Sequence, residues 1–239
     1  MRFKILSMPS KVKFLVAGLP DMGNVAGIVM DHLITKLNMV IFAEARDEWP
    51  PYVRHESSRV HFERGWFRVY FRDGLKFIAM NGTHQPVEST SLYNLCESVI
   101  DLSLNLNIER VITVGAAHTT DDEIEEPRVF YATTSDPLGE EIEGYGAVKL
   151  ESEGFITGYN GLLLGIAKER GINGICLLGE INDPGVKQYH AAKAVLQVLS
   201  HFIGEEINLE ELDEEIEKIK AMKKLGRMLR RRDRPPGVM

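Results

Sequence analysis

Phe14-Leu15-Val16-Ala17-Gly18-Leu19-Pro20-Asp21-Met22-Gly23-Asn24-Val25-Ala26-Gly27-Ile28-Val29-Met30 decides how the rest of the chain is read. An apolar run ends in a glycine-marked turn, and a helix-like pattern follows at once, as at the start of an α/β domain. Two readings of the turn compete. It is either a tight packing device or a cradle for a bound anion, with Gly18 and Gly23 as candidate crevice positions. A phosphate loop needs Lys and then Ser or Thr after its second glycine, whereas Gly23 is followed by Asn24-Val25. The dinucleotide form is absent too, because Gly18 is followed by Leu19-Pro20. The turn is therefore read mainly as a device that lets the first helix lie close to the sheet.

Outward from this stretch, strands and helices alternate. Residues 38–45 read as a buried strand, and the Pro-rich loop 47–53 after them cannot be helical. Two apolar runs, 66–71 and 75–80, flank Arg72-Asp73-Gly74, a strong hairpin signal. Leu92, Leu95, Val99, Leu102 and Leu106 recur at steps of three and four, one face of a long helix, and 109–116 is again a buried strand. Residues 128–133 and 171–180 read as further strands. A second glycine-rich turn at 154–161 opens a helix, and the helix through Ala191 to Phe202 closes the body. The expected fold class is α/β, with a mixed, mostly parallel sheet between helical layers.

The last segment differs in kind. Leu209, Leu212, Ile216, Ile219, Met222, Leu225 and Leu229 form a narrow apolar stripe on an otherwise charged helix. Acidic residues fill its first half and basic ones its second, ending in Arg230, Arg231 and Arg232, an order that complements the helix dipole. So thin a stripe gains little alone and is expected to pack on the α/β body or on another subunit. The expected organisation is an α/β domain at 1–204, a charged amphipathic helix at 205–232 and an extended tail at 233–239 that ends Val238-Met239.

The 239 residues carry a formal net charge of −7 and 44% hydrophobic content, enough for a sizeable core and a poor match to nucleic acid as the main partner. Two cysteines, Cys96 and Cys176, lie far apart in apolar segments, so neither a disulfide framework nor a thiolate metal site is expected. No apolar run reaches the length of a membrane span, and the expectation is a soluble cytoplasmic protein.

Chemistry is sparse. If the strands run parallel, His84, His118 and Glu180 or Asp183 follow strand ends and would meet in a crevice, where they could act as acid and base or hold a metal. The acidic loop 119–127 lacks the order of a calcium loop, and no metal or other cofactor is expected. No nucleophile elbow occurs, and neither cysteine has a basic setting.

The opening segment, the hairpin, Pro127-Arg128-Val129-Phe130-Tyr131-Ala132-Thr133, Gly154-Phe155-Ile156-Thr157-Gly158-Tyr159-Asn160-Gly161-Leu162-Leu163, Cys176-Leu177-Leu178-Gly179-Glu180 and Ala191-Ala192 occur in a characteristic order. In these the chain resembles prokaryotic, archaeal-type members of the proteasome assembly chaperone family, over about residues 14–217. The resemblance implies a three-layer α/β/α fold similar to phosphorylases and hydrolases, no catalytic activity, self-association into a homo-oligomer and binding of proteasome subunits. Together with the seam on the charged helix and the scarcity of reactive groups, it points to the C-terminal helix and tail as the assembly or docking region, with Leu212, Ile216, Ile219, Arg230, Arg231, Arg232, Val238 and Met239 as the residues involved. Members that dock on the proteasome ring end in hydrophobic-tyrosine-any residue, and Gly237-Val238-Met239 departs from that pattern. A phosphorylase- or hydrolase-type enzyme using His84, His118 and Glu180 is the alternative, and a nucleotide-binding ligase-like protein is a third reading, disfavoured because the glycine turns lack a phosphate-directed lysine.

Overall fold

The run Leu15-Val16-Ala17, buried on both faces, lies in the middle of a nine-stranded sheet. The computed structural model describes residues 1–239 except 10, 48–51, 121–123, 152 and 233–239, with backbone alone at 223–232. In chain order the elements are β1 (Lys4–Ile5), β2 (Phe14–Ala17), a 3-10 turn (Met22–Asn24), α1 (Val25–Lys36), β3 (Val40–Arg46), β4 (Arg54–Glu56), β5 (Arg59–His61), β6 (Trp66–Phe71) and β7 (Phe77–Gly82). They continue with α2 (Ser89–Asn105), β8 (Arg110–His118), β9 (Val129–Thr133), α3 (Asp136–Glu143), β10 (Val148–Lys149), α4 (Gly158–Glu169), β11 (Asn173–Ile181), α5 (Tyr189–Ile203) and α6 (Glu210–Arg232).

The sheet order is β1-β3-β6-β7-β2-β8-β11-β9-β10. Its four central strands, β7, β2, β8 and β11, all run parallel, and antiparallel strands flank them. Strands covered on both faces read as continuous apolar runs, which is why β2, β8 and β11 are legible as such. On one face α2 and α4 pack together over Leu15, Ala17, Phe67, Ile78 and Met80, which share a core with Leu95, Val99, Leu163 and Ile166. On the other, α1 packs beside α5, and the Phe14 ring meets that of Phe202 with centroids 6.1 Å apart. The expected α/β class with a mixed sheet between helical layers is the observed one. Among the described residues no helix is long and apolar enough to cross a membrane.

Four parts of the fold have no counterpart in the sequence reading, the first of them the two-residue β1, which pairs antiparallel with β3. The two-stranded β4–β5 ribbon turns at Ser57 and Ser58, both left-handed (φ 48° and 64°), where glycine or asparagine is the usual signal. The short α3 begins at Asp136-Pro137, and the two-residue β10 pairs with β9. Of the loop 47–53, Trp49, Pro50 and Pro51 lie outside the described residues, whereas Tyr52 is exposed.

The chain divides into two compact units, Met1–Ile207 and Asn208–Met239. In the second, α6 carries its acidic residues in the first turn, and Lys218 and Lys220 pair with Glu215 and Glu217 one turn back, at 2.7 and 2.8 Å. Along its stripe Leu212 and Ile216 are buried, Ile219 is half-buried and Met222 exposed. The side chains of Leu225, Leu229, Arg230, Arg231 and Arg232, and all of Val238 and Met239, lie outside the described residues.

Candidate functional site

Where β2 gives way to α1 the backbone runs between close neighbours. A Cβ on Gly18 would lie 2.9 Å from Met30 Cγ and 3.1 Å from the Ala26 Cβ, so the missing side chain lets α1 cross against the strand end. Gly23 adopts φ 63°, its N–H donates to the Pro184 carbonyl (3.0 Å), and its own carbonyl accepts from the Gln188 N–H (2.9 Å). The turn is thereby clamped to the loop that follows β11. At the start of α1 the Asp21 carboxylate already occupies the place an anion would take, because its Oδ1 accepts the Ala26 N–H at 2.9 Å. The packing reading of the turn has this physical basis.

Above the turn lies a pocket of about 790 Å³, at the carboxyl ends of β2, β8 and β11. Its lining comes from Asp21 and Met22, from Ala116, Ala117 and His118 of β8, and from residues 153–157 with Asn160 of α4. The Asn160 Nδ2 donates to the Val114 carbonyl at 3.0 Å. It fits only because Gly115 has no side chain, since a Cβ there would lie 2.3 Å from that nitrogen. Gln85, also in the lining, accepts the Tyr159 N–H on its Oε1 at 3.2 Å and so ties the chain after β7 to the start of α4.

Two buried acceptors at this pocket are left over. Asp21 Oδ2 and Asn160 Oδ1 have no hydrogen-bond partner. Burial pushes the Asp21 carboxyl up to about 7, against the pull of backbone N–H groups, of which Ala26 contributes most. Those of Val25 and Ala116 also favour the ionised form, yet none meets Oδ2 in hydrogen-bond geometry.

The residues expected in the crevice are distributed differently. His118 lines the pocket, with Nε2 3.2 Å from the Asn182 carbonyl. Gly18 and Gly23 shape the turn without lining the pocket. His84 lines a separate pocket of about 510 Å³ with Arg46, Tyr52 and Trp66. Its Nε2 lies 2.9 Å from Asp47 Oδ2, its Nδ1 3.1 Å from Thr83 Oγ1, and its ring stands against that of Phe67. Glu180 is buried and turned the other way: its Oε2 accepts both the N–H and the Nε–H of Arg128 at 3.0 Å, and Oε1 accepts a second guanidinium nitrogen. The Arg128 guanidinium holds the Glu180 carboxyl below the usual carboxylate range, as suits a fixed ion pair rather than a proton acceptor. Asp183 accepts the Gly185 N–H within its own turn. The three residues offered as acid and base therefore do not meet. Among the described residues no cluster of three metal-type ligands occurs.

Asp21, Gln85 and Asn160 were not marked as site residues by the sequence. Their common signal is position: each stands beside a glycine turn or strand end, and Asn160 is framed by Gly158 and Gly161.

Both cysteines are buried, and burial pushes each thiol up to about 12. Thiolate is the reactive form. A thiol reagent is accordingly expected to label neither in the folded chain and both after unfolding in urea; rapid native labelling of either one would contradict the buried, protonated setting.

Comparison with known proteins follows the same outline. The model of the PAC2 family matches residues 15–225. An uncharacterised protein of Methanocaldococcus jannaschii is 30% identical over 238 residues, covering 92% of this chain and 91% of its own length. Among solved structures, Pyrococcus furiosus PbaB, an archaeal proteasome activator, is 28% identical with a TM-score of 0.79, over 94% of this chain and 98% of that one. Pyrococcus furiosus PbaA, an archaeal homologue of proteasome-assembly chaperone, superposes with a TM-score of 0.78 over 98% and 94% of the two chains; at 22% identity this likeness concerns the fold.

Proposed function

The chain belongs to the PAC2 family, and from that premise we propose that it is a non-enzymatic chaperone or adaptor that self-associates and binds proteasome subunits. The observation that carries the reading is the likeness to PbaB, an archaeal proteasome activator, along nearly the whole of both chains. The state of the reactive groups supports it: Glu180 is held by Arg128, His84 by Asp47, and the thiols are buried. We assign docking to α6 and the tail after it, through Leu212, Ile216, Ile219, Arg230, Arg231, Arg232, Val238 and Met239. A helix acidic at its start and basic at its end offers a partner a defined direction of approach, and a narrow apolar seam offers it a register.

The test is size-exclusion chromatography with light scattering on the full chain, on a chain ending at Ile207, and on a full chain with Arg230, Arg231 and Arg232 changed to Glu. Each is run alone and with proteasome α subunits. The full chain is expected to run as an oligomer and to co-elute with the subunits. Truncation abolishes co-elution, and the charge reversal weakens it, most strongly at low salt. No association between the full chain and proteasome subunits would remove the reading. Co-elution unchanged by truncation would move docking to the α/β body.

A further inference from the structure

The pocket at the strand ends is polar in one sense. Its unpaired side-chain atoms are acceptors, Asp21 Oδ2 and Asn160 Oδ1, Glu153 is in its lining, and among the described residues neither lysine nor arginine lines it. A phosphate or carboxylate ligand would find no countercharge there and would meet Asp21 at the helix start. An entirely apolar ligand would leave both acceptors unpaired in a drier site, which is unfavourable. A ligand rich in N–H donors answers both problems, and a positive one also answers the isolated charge of Asp21. Met22, Leu150, Phe155, Ile156 and Leu178 in the lining are apolar and suit a hydrocarbon body.

We propose that this pocket binds a small organic cation, a primary ammonium or guanidinium on an apolar body, whose N–H groups are received by Asp21 and Asn160. Both oxygens are shielded from bulk water and belong to side chains that line the cavity. Nδ2 of Asn160 keeps the side chain anchored on the Val114 carbonyl, and Oδ1 of Asp21 keeps it anchored on the Ala26 N–H. The site is thus held from behind by bonds that leave one acceptor on each residue for the ligand.

Binding is tied to proton release. The ligand favours ionised Asp21, which without it is half protonated near pH 7. The other ionisable groups around Asp21 are His118 and Glu153 in the same lining, and the Cys176 thiol, which burial keeps neutral. Affinity therefore rises as Asp21 loses its proton, by about tenfold from pH 6 to pH 8, and levels off above that. His118 shares the lining, so the contribution of Asp21 is isolated by its own substitution.

The proposal does not rest on the proteasome reading, because it is argued from residues 21–178 alone, and it is tested separately. Agmatine and spermidine are titrated calorimetrically into the full chain at pH 6 and pH 8 and constant ionic strength, with inorganic phosphate as the anionic counter-probe. The expected result is binding of at least one amine, about tenfold tighter at pH 8, and none of phosphate. Asp21→Asn, which keeps the cap oxygen and removes the charge, is expected to lose at least tenfold in affinity together with the pH dependence, while its cooperative unfolding shows it folded. His118→Gln retains most of the pH dependence. No binding of either amine at millimolar concentration, affinity or pH dependence untouched by Asp21→Asn, or preferential binding of phosphate would each overturn the proposal.

Discussion

Replacing Gly161 by alanine is expected to lower the folding stability by about 3 kcal/mol. Gly161 lies in the first turn of α4, and a Cβ built on it would stand 1.8 Å from the carbonyl oxygen of Ile156 and 2.7 Å from its carbon. The obstacle is backbone and cannot rotate out of the way as a side chain would. Either the start of α4 or the segment 154–157 must shift, and that segment lines the pocket. Interiors transmit such displacements, because they are packed to the density of organic crystals. Gly165, one turn further along the same helix, is a fitting control, since nothing lies within 4 Å of its would-be Cβ. Gly165→Ala is expected to gain a few tenths to about 1 kcal/mol from helix propensity. Urea unfolding of the two variants measures the contrast. A Gly161→Ala midpoint equal to that of the parent would show that α4 can slide away from Ile156 at no cost.

Asp21→Asn is expected to act in the opposite direction, and only at neutral and alkaline pH. The folded carboxyl is pushed up to about 7 from its ordinary 3.8. Between these values the folded chain holds a proton that the unfolded chain has released, so stability falls as pH rises through this window. Below it both states are protonated and the group contributes nothing; above it the cost of the buried charge is fully expressed, at about 4 kcal/mol. Asparagine carries no charge at any pH and retains an oxygen for the Ala26 N–H. The stability difference between variant and parent should therefore be close to zero near pH 4, grow through pH 5–7, and level off at about 4 kcal/mol by pH 8. Taking the difference cancels the other titrating groups. A difference independent of pH would mean that Asp21 is ionised in an ordinary environment. A carboxylate that destabilises the chain at neutral pH is a common property of sites kept for binding rather than for stability.

Much of the architecture follows from local pattern. The apolar run at β2, Asp73-Gly74 between two strands, and the three-four spacing on α2 and α6 each declare an element from within a few residues, because period and turn chemistry are local. The β4–β5 ribbon escaped because Ser57 and Ser58 take a conformation usually signalled by glycine or asparagine. The site was less legible. His84 follows β7 and His118 ends β8, so both stand at the carboxyl end of the sheet, yet β2 runs between those strands and the two rings serve different pockets. Glu180 carries no local mark of its partner, since Arg128 precedes β9 and reaches Glu180 only because β9 pairs antiparallel with β11. The Asp21 carboxylate fills the helix start through its bond from the Ala26 N–H. That it also keeps an unpaired oxygen at a cavity depends on burial by segments far along the chain, which a pattern of neighbours does not record.

The position of β2 also bears on how the chain is made. This strand leaves the ribosome before both of its neighbours, β7 at residues 77–82 and β8 at 110–118. Until the second has emerged, an apolar strand meant to be covered on both faces and paired along both edges has at least one edge unpaired. Such edges are templates for wrong partners, and pairings distant in sequence form slowly. The nascent chain thus passes through a long interval in which its most hydrophobic strand has nowhere to go. If it assists the assembly of other proteins, its own completion is a step at which help would matter most.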